Sequence, residues 1–416
     1  MQFLYQLGIH LYGILIRIVA PFVPKAKEWV VGRKQWRNQV SLAAASQAPV
    51  VWMHCSSVGE FEDSRVVWQA LQEHYTGAQF VLTFFSSSGY NHLKDRGVAD
   101  TVLYLPLDTK KNAHAFLDRL QPKLVFFSRS DLWANMLAEV KGRQIPLYLL
   151  GLRLERDSKF LNRWTRGFFK ACFQSFTHIY AQHEITREIL SMHFGVSEVS
   201  VVGNARVDRI AQASEAAPRY PRVAEFVGDH FCVILGSGLP TEEKMFLSLA
   251  EDPALAKVRW LLVPHEIEQE YLDARAQDEQ KTETLFTLKT PLLPTQRVMW
   301  VDTIGHLKHL YQYAHLAVVG GGFDTIGIHS ILEPAVYGLP IWFGPNHRNY
   351  PEALDLMSLN GARVFENQDQ LREAILYQLK NGMPAGLSER ISSYVTENTG
   401  ASKRTLAELM ARHPKL

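Results

Sequence analysis

The sequence is poor in cysteine. Its three cysteines, Cys55, Cys172 and Cys232, lie far apart and none belongs to a Cys-x-x-Cys pair. That pattern excludes a disulfide scaffold and a cysteine-based metal site, and it fits a reducing compartment. Excess charge of one sign is also missing. The formal net charge is +2, which excludes wholesale nucleic-acid binding through a strongly basic face. No short-period repeat and no low-complexity tract interrupts the chain. No His and carboxylate cluster has metal-ligand spacing, and no Asp-x-Asp stands ready to hold a divalent ion on a diphosphate. No metal and no cofactor are therefore expected.

Long hydrophobic runs are scarce, with one exception. Met1 to Val23 is apolar and aromatic, although Gln6, His10, Gly13 and Arg17 interrupt it. A clean spanning helix wants about 20 apolar residues, and a central Arg is costly there. No small-residue cleavage site follows, so a removed signal peptide fits poorly. Phe3, Leu4, Leu7, Leu11, Leu15 and Ile18 form a stripe with helical spacing, and Lys25, Lys27, Arg33, Lys34 and Arg37 follow. Basic residues beside an apolar segment stay on the cytoplasmic side and attract anionic lipid. Residues 1–23 are read as a membrane anchor or interfacial helix. The alternative is a helix packed on the protein's own core.

What remains has the composition of a folded protein, 47% hydrophobic and 21% charged, and 416 residues exceed what one core usually holds. Apolar strands alternate with amphipathic helices. Strands are expected at Val50–Cys55, Phe80–Phe85, Thr101–Leu105, Lys123–Phe127, Pro146–Leu150, Ile179–Ala181 and Val199–Val202, with a Ser86–Gly89 loop after the second. The rhythm restarts at Cys232–Leu235, Trp260–Val263, Val298–Val301, Leu316–Val319 and Leu339–Phe343. This predicts an α/β protein of two doubly wound, parallel-sheet domains that bind ligands at the carboxyl ends of their strands, in the cleft they face. The expected domains are 24–210 and 211–416, with the last helix free to pack back on the first.

Two local features carry chemistry. In Val51–Ser64 a buried strand runs into Ser56-Ser57-Val58-Gly59, and Glu60 opens a helix. Gly59 permits a tight turn, and a carboxylate aimed over the strand ends can act as a general base. Equally, Glu60, Glu62 and Asp63 all suit a first-turn acid that offsets the helix dipole, and composition does not choose among them. In Val318–Pro345 the run Gly320-Gly321-Gly322 ends a strand, and His329 and Ser330 precede a helix carrying Glu333. Glycines let backbone amides approach an anion, and an acid one turn in can accept from ribose hydroxyls. A loop that merely turns sharply would read the same. Gly236-Ser237-Gly238 is similar in kind and weaker.

Taken in order, the motifs resemble those of the 3-deoxy-D-manno-octulosonic acid (Kdo) transferases of lipopolysaccharide synthesis. The SVGE turn is matched by Ser57, Val58, Gly59 and Glu60, and the acidic-LWxN segment by Asp131, Leu132, Trp133 and Asn135. Arg153, Leu154 and Ser158 approximate a third motif, and Gly203, Asn204, Val207 and Asp208 match a fourth. The second half adds Gly236 and Ser237 with Glu242 and Glu243, then Asp302, Thr303, Gly305 and Leu307. It closes on Gly321, Gly322, His329, Leu332, Glu333, Pro334, Ala335, Gly338, Pro340 and Phe343–Pro345. Two departures stand out. Arg129-Ser130-Asp131 replaces a Glu-x-Glu, and Ser330 stands where the family usually has Asn.

The resemblance implies a metal-independent, inverting glycosyltransferase of GT-B fold on the cytoplasmic face of the inner membrane. It implies a CMP-Kdo donor, a lipid A precursor as acceptor, contact with the membrane surface, and no nucleic acid. It puts Glu60 and Asp131 in catalytic roles. Ser237, Gly321, Gly322, His329, Ser330 and Glu333 would bind CMP; Ser57, Gly59, Arg153 and Arg156 would bind the acceptor. Two other classes compete: a sugar-nucleotide epimerase on the same scaffold, and a non-catalytic sugar- or lipid-binding protein.

Overall fold

A computed structural model describes residues 1–416 apart from 44, 268–282, 288–290, 326 and 349. The chain divides into two compact units. Unit 1 comprises Met1–Arg209 and Gly400–Leu416, and unit 2 comprises Ile210–Thr399.

The seven strands of unit 1 are β1 (Val50–Cys55), β2 (Gln79–Phe84), β3 (Thr101–Tyr104), β4 (Pro122–Ser128), β5 (Leu147–Leu152), β6 (His178–Ala181) and β7 (Val199–Val201). They pair in parallel in the order β3-β2-β1-β4-β5-β6-β7. Every residue of β1 is buried. Alternating side chains feed two cores, Val50 and Trp52 one face, Val51, Met53 and Cys55 the other. That double burial is why the sequence shows unbroken apolar runs rather than alternation. The order reverses direction between β1 and β4, which opens a crevice at their carboxyl ends.

Unit 2 repeats the plan with β8 (Phe231–Gly238), β9 (Val258–Pro264), β10 (Glu283–Leu285), β11 (Val298–Trp300), β12 (Leu316–Val319), β13 (Ile341–Phe343) and β14 (Ala362–Val364). The order is β10-β11-β9-β8-β12-β13-β14, again all parallel, with its reversal between β8 and β12. Both units are doubly wound, of GT-B type. The short strands β10 and β14 were not anticipated; both lie at sheet edges. The expected Ser86–Gly89 loop is instead the start of a helix, Ser87–Leu93, because the Ser86 hydroxyl caps it by accepting from the Gly89 amide.

Gln2–Val19 is a helix of 18 residues with mean hydropathy 1.2. One edge of it docks on unit 1. Tyr5 donates to Asp108 at 2.5 Å, Gln6 donates to Asn135, and Gly13 lies under Leu107, where a Cβ would sit 2.6 Å from a methyl carbon. The opposite face is apolar and exposed: Phe3 is 77% accessible, and Leu4, Leu7, Leu11, Leu15 and Ile18 are also exposed. Arg33 leaves the expected basic flank. It is buried, lies over the Trp29 ring at 3.9 Å, and donates to the carbonyls of Leu105, Trp29 and Phe85.

The last helix, Ala401–Arg412, belongs to unit 1. Asp208 accepts from the amides of Gly400 and Ser402, both at 2.6 Å, and Arg404 donates to the Val202 carbonyl. His413 meets the hydroxyl of Tyr148 at 2.6 Å, and Leu409 is fully buried in the core beside Tyr148 and Tyr180.

Candidate active site

The reversal point of unit 1 carries a pair of carboxylates. Glu60 sits in the first turn of the helix Val58–His74, directly after β1, and Asp131 follows β4. Ser56 bridges them. Its amide donates to Glu60 Oε2 at 2.5 Å, and its hydroxyl donates to Asp131 Oδ2. Ser57 caps the helix, accepting from the Glu60 amide at 3.4 Å. Gly59 does not form the expected tight turn. It lies inside the helix, and a Cβ there would meet only Ser57 Oγ, at 3.9 Å. The turn comes from Ser57 in extended conformation, so Gly59 contributes open space beside the carboxylates rather than backbone freedom.

The two acids are driven apart electrostatically. Burial and the nearby Asp131 charge push the Glu60 carboxyl above the usual range, against the Ser56 amide, His54 and Arg129, which pull it down. Burial also pushes Asp131 up. The hydrogen bond and charge of His54, the Ser56 hydroxyl and the Trp133 indole together outweigh it, and Asp131 lies below the usual range. His54 is fully buried at the end of β1, with Nδ1 2.9 Å from Thr83 Oγ1 and Nε2 2.9 Å from Asp131 Oδ2. A carboxylate oxygen that close requires a proton between the two atoms, so Nε2 is the donor. The Trp133 indole N–H lies 3.0 Å from the same nitrogen and also lowers the Asp131 pKa. A pair of acids set apart in this way is how one site holds a base and a fixed charge together.

Glu62 and Asp63, one turn further along the helix, are occupied. Glu62 pairs with Arg65 at 2.8 Å, and Asp63 pairs with Arg129. Arg129 has φ 57°, the left-handed region, held by its amide's 2.8 Å bond to the Leu150 carbonyl. That conformation turns the Arg129 side chain back to Asp63 and leaves Asp131 to Ser56 and His54.

In unit 2 the strands beside the reversal point end on glycine. A Cβ on Gly320 would lie 2.2 Å from the Ser237 carbonyl oxygen, so β8 and β12 meet this closely only with glycine there. Ser237 itself has φ 53°. The Gly321 amide donates to Glu242 Oε1 at 3.0 Å, and Glu242, nearly fully buried, also accepts from the Leu239 amide. Gly322 packs against Gly344, with 2.4 Å left for a Cβ before the Gly344 nitrogen. His329 stacks on His265 at 4.5 Å, and burial with that neighbour lowers its pKa. Among the described residues, His329 Nε2 and Ser330 Oγ are buried without a hydrogen-bond partner. Both atoms lie beside the glycine turn. Glu333 follows in the first turn of the helix Leu332–Ala335, half-buried near Tyr311 and Tyr337.

The sequence profile of the 3-deoxy-D-manno-octulosonic-acid transferases (kdotransferases) matches residues 34–209, the stretch that holds both carboxylates. This stretch is similar to that family. A 3-deoxy-D-manno-octulosonic acid transferase of Chlamydia pneumoniae is 28% identical over 354 residues, covering 80% of this chain and 78% of the relative. A bifunctional glycosyltransferase/methyltransferase of Fusobacterium nucleatum is 25% identical over 404 residues; this chain spans 60% of its length. In three dimensions the chain is similar to the UDP-GlcNAc 2-epimerase of Neisseria meningitidis, with a TM-score of 0.60 over 87% of this chain and all of that one. At 15% identity that likeness concerns the fold alone.

Within the matched stretch the structure brings Ser57, Gly59, Glu60 and Asp131 together around Ser56. Arg153 follows β5 and is paired with Glu155 at 2.7 Å; Arg156 is largely exposed, 3.8 Å from Glu188. Ser237, Gly321, Gly322, His329 and Ser330 gather at the reversal point of unit 2. His54 is the residue that the reading of the sequence missed. A histidine inside an apolar strand reads as core, and its role shows only once β4 places Asp131 beside it. The available signal was its position, two residues before the Ser56 turn.

Proposed function

We propose that the chain is a glycosyltransferase that moves Kdo from CMP-Kdo to a lipid A precursor. The observation that carries this reading is the Glu60–Asp131 pair, bridged by Ser56 at the reversal point of unit 1, within the stretch similar to the Kdo transferases. Glu60, kept more basic than an ordinary carboxylate, takes the proton from the acceptor hydroxyl. The acceptor oxygen bonds to the anomeric carbon while the bond from that carbon to the phosphate oxygen breaks. CMP leaves with the electron pair from the opposite face, which inverts the centre. Asp131, held ionised by His54, keeps a fixed negative charge beside the base and favours the positive charge that develops on the sugar.

The donor's nucleotide falls to Ser237, Gly321, Gly322, His329, Ser330 and Glu333, with the two unpartnered polar atoms, His329 Nε2 and Ser330 Oγ, available to the phosphate. The acceptor falls to unit 1, near Ser57 and Gly59, with Arg153 and Arg156 as cations for its phosphates. The exposed apolar face of the N-terminal helix supports a place on the membrane surface, at the cytoplasmic face of the inner membrane. Mixing the protein with CMP-Kdo and a tetraacylated glucosamine disaccharide phosphate should release CMP and yield a heavier lipid by mass spectrometry. CMP release without a lipid product, or neither, would overturn the proposal.

A further inference from the structure

The N-terminal helix and the loop that carries Asp131 share one buried carboxylate, Asp108. It stands after β3, has no exposed surface and takes no part in the site described above. Its Oδ2 accepts from the Tyr5 hydroxyl at 2.5 Å and from the Asn135 amide at 3.0 Å, and its Oδ1 accepts from the Met136 amide at 2.9 Å. The Asn135 side chain donates back to the Asp108 carbonyl at 2.5 Å and accepts from Gln6. Asn135 and Met136 open the helix Ala134–Gly142, which begins three residues after Asp131. Trp133 lies between, its ring 4.6 Å from Phe85, and Tyr12 packs on Phe85 at 6.2 Å. Tyr5, Gln6 and Tyr12, all on the edge of the N-terminal helix that faces unit 1, thus reach the 131–136 segment by three routes.

We propose that Tyr5 is a positioning residue for the transfer. Through Asp108 it fixes the start of the Ala134–Gly142 helix and with it Asp131, so the seating of the N-terminal helix on unit 1 sets the carboxylate pair. The physical reason lies in Asp108. It is the side-chain acceptor for two amides of that helix's first turn, where no earlier carbonyl is available to them. A buried carboxylate needs its oxygens satisfied. Without the Tyr5 hydroxyl, Asp108 loses a short charge-assisted bond and turns towards whatever donor or water it can reach. The Asn135 and Met136 amides then lose their fixed acceptor. The inference rests on the transferase reading of the Glu60–Asp131 site.

Tyr5→Phe in the full chain tests it. The ring keeps its 5.1 Å packing on Phe168, and the outward apolar face is untouched. The expected result has four parts: unchanged flotation with anionic vesicles, unchanged KM for the CMP-sugar, kcat for CMP release lower by about ten- to a hundredfold, and faster hydrogen exchange at the Asn135 and Met136 amides. Gln6→Met should shift kcat and exchange in the same direction. Wild-type kcat and exchange in Tyr5→Phe would overturn the proposal, as would a lower kcat with undisturbed exchange, because the route through Asp108 would then be wrong. A wild-type protein that releases no CMP would sink the transferase reading instead; the exchange comparison would still decide whether Tyr5 holds the segment.

Discussion

Glu60 does two jobs with one carboxylate. It satisfies the Ser56 amide, as an acid in a helix first turn commonly does, and burial, with the nearby Asp131 charge, makes it resist ionisation. The two jobs make different forecasts. If the residue were only a cap, Glu60→Gln would cost a little stability and leave turnover intact. As the base, Glu60→Gln should lower transfer by ~10²–10⁴-fold while donor affinity, measured by calorimetry, stays unchanged. The pH dependence follows from the direction of the shift. A base must be ionised, so kcat/KM should fall as pH drops through a Glu60 pKa that lies above the ordinary glutamate value. Asp131→Asn removes one of the charges that hold it there and leaves His54, Arg129 and the Ser56 amide, all of which pull Glu60 down. The acid limb of whatever activity remains should therefore move to lower pH. A limb that stays put would break the link between the two acids. If Asp131→Asn is dead and Glu60→Gln is not, the base is Asp131.

At the scale of elements, what the sequence disclosed depended on burial. The inner strands are covered on both faces and announce themselves as apolar runs. Strands β10 and β14 are edge strands of three residues, one opening on Glu283 and the other carrying exposed Arg363, and no periodicity marks so short and polar a segment. The turn after β1 was legible from Glu60 and the serines, whereas the His54–Asp131 contact needed the pairing of β1 with β4. Glycine is legible as a type, but its local reason needs the structure: Gly59 needs no special backbone, while Gly320 is required by a carbonyl. Gly320→Ala should force the ends of β8 and β12 apart and lower stability by ~1–3 kcal/mol, with weaker donor binding, seen by thermal melts and titration calorimetry. Gly59→Ala should leave the melting temperature alone, so any loss of transfer there reports a crowded acceptor. The N-terminal helix combines both readings of its sequence, one edge docked and one face bare. Replacing Leu7, Leu11 and Leu15 together by Gln should abolish flotation with anionic vesicles and leave the circular dichroism spectrum unchanged. Retained flotation would mean that the basic residues suffice.

For the whole molecule, the two-sheet plan and the order of motifs could be read from the alternation of apolar runs, because each unit repeats the same winding. The return of the last helix to unit 1 is written in single contacts, Asp208 with Gly400 and Ser402, and Tyr148 with His413, and these have no periodic trace. A fragment of residues 1–209 lacks the side chain that fills its core at Leu409 and should show no cooperative thermal transition. The same fragment joined to residues 400–416 by a short Gly-Ser linker should melt as one unit, since Asp208 lies 2.6 Å from the Gly400 amide. A non-cooperative melt of the joined form would show that unit 1 depends on more than its own residues. The same arrangement governs birth on the ribosome. The sheet of unit 1 and its apolar helix Gln2–Val19 emerge before unit 2, yet the helix that closes their core is translated only after all of unit 2. At ~5–20 residues per second unit 1 waits on the order of ten seconds or more, open at one face, while its greasy N-terminus is already free to meet a lipid bilayer or a chaperone. On the proposed reading, attachment to lipid can therefore begin before the core of unit 1 is closed.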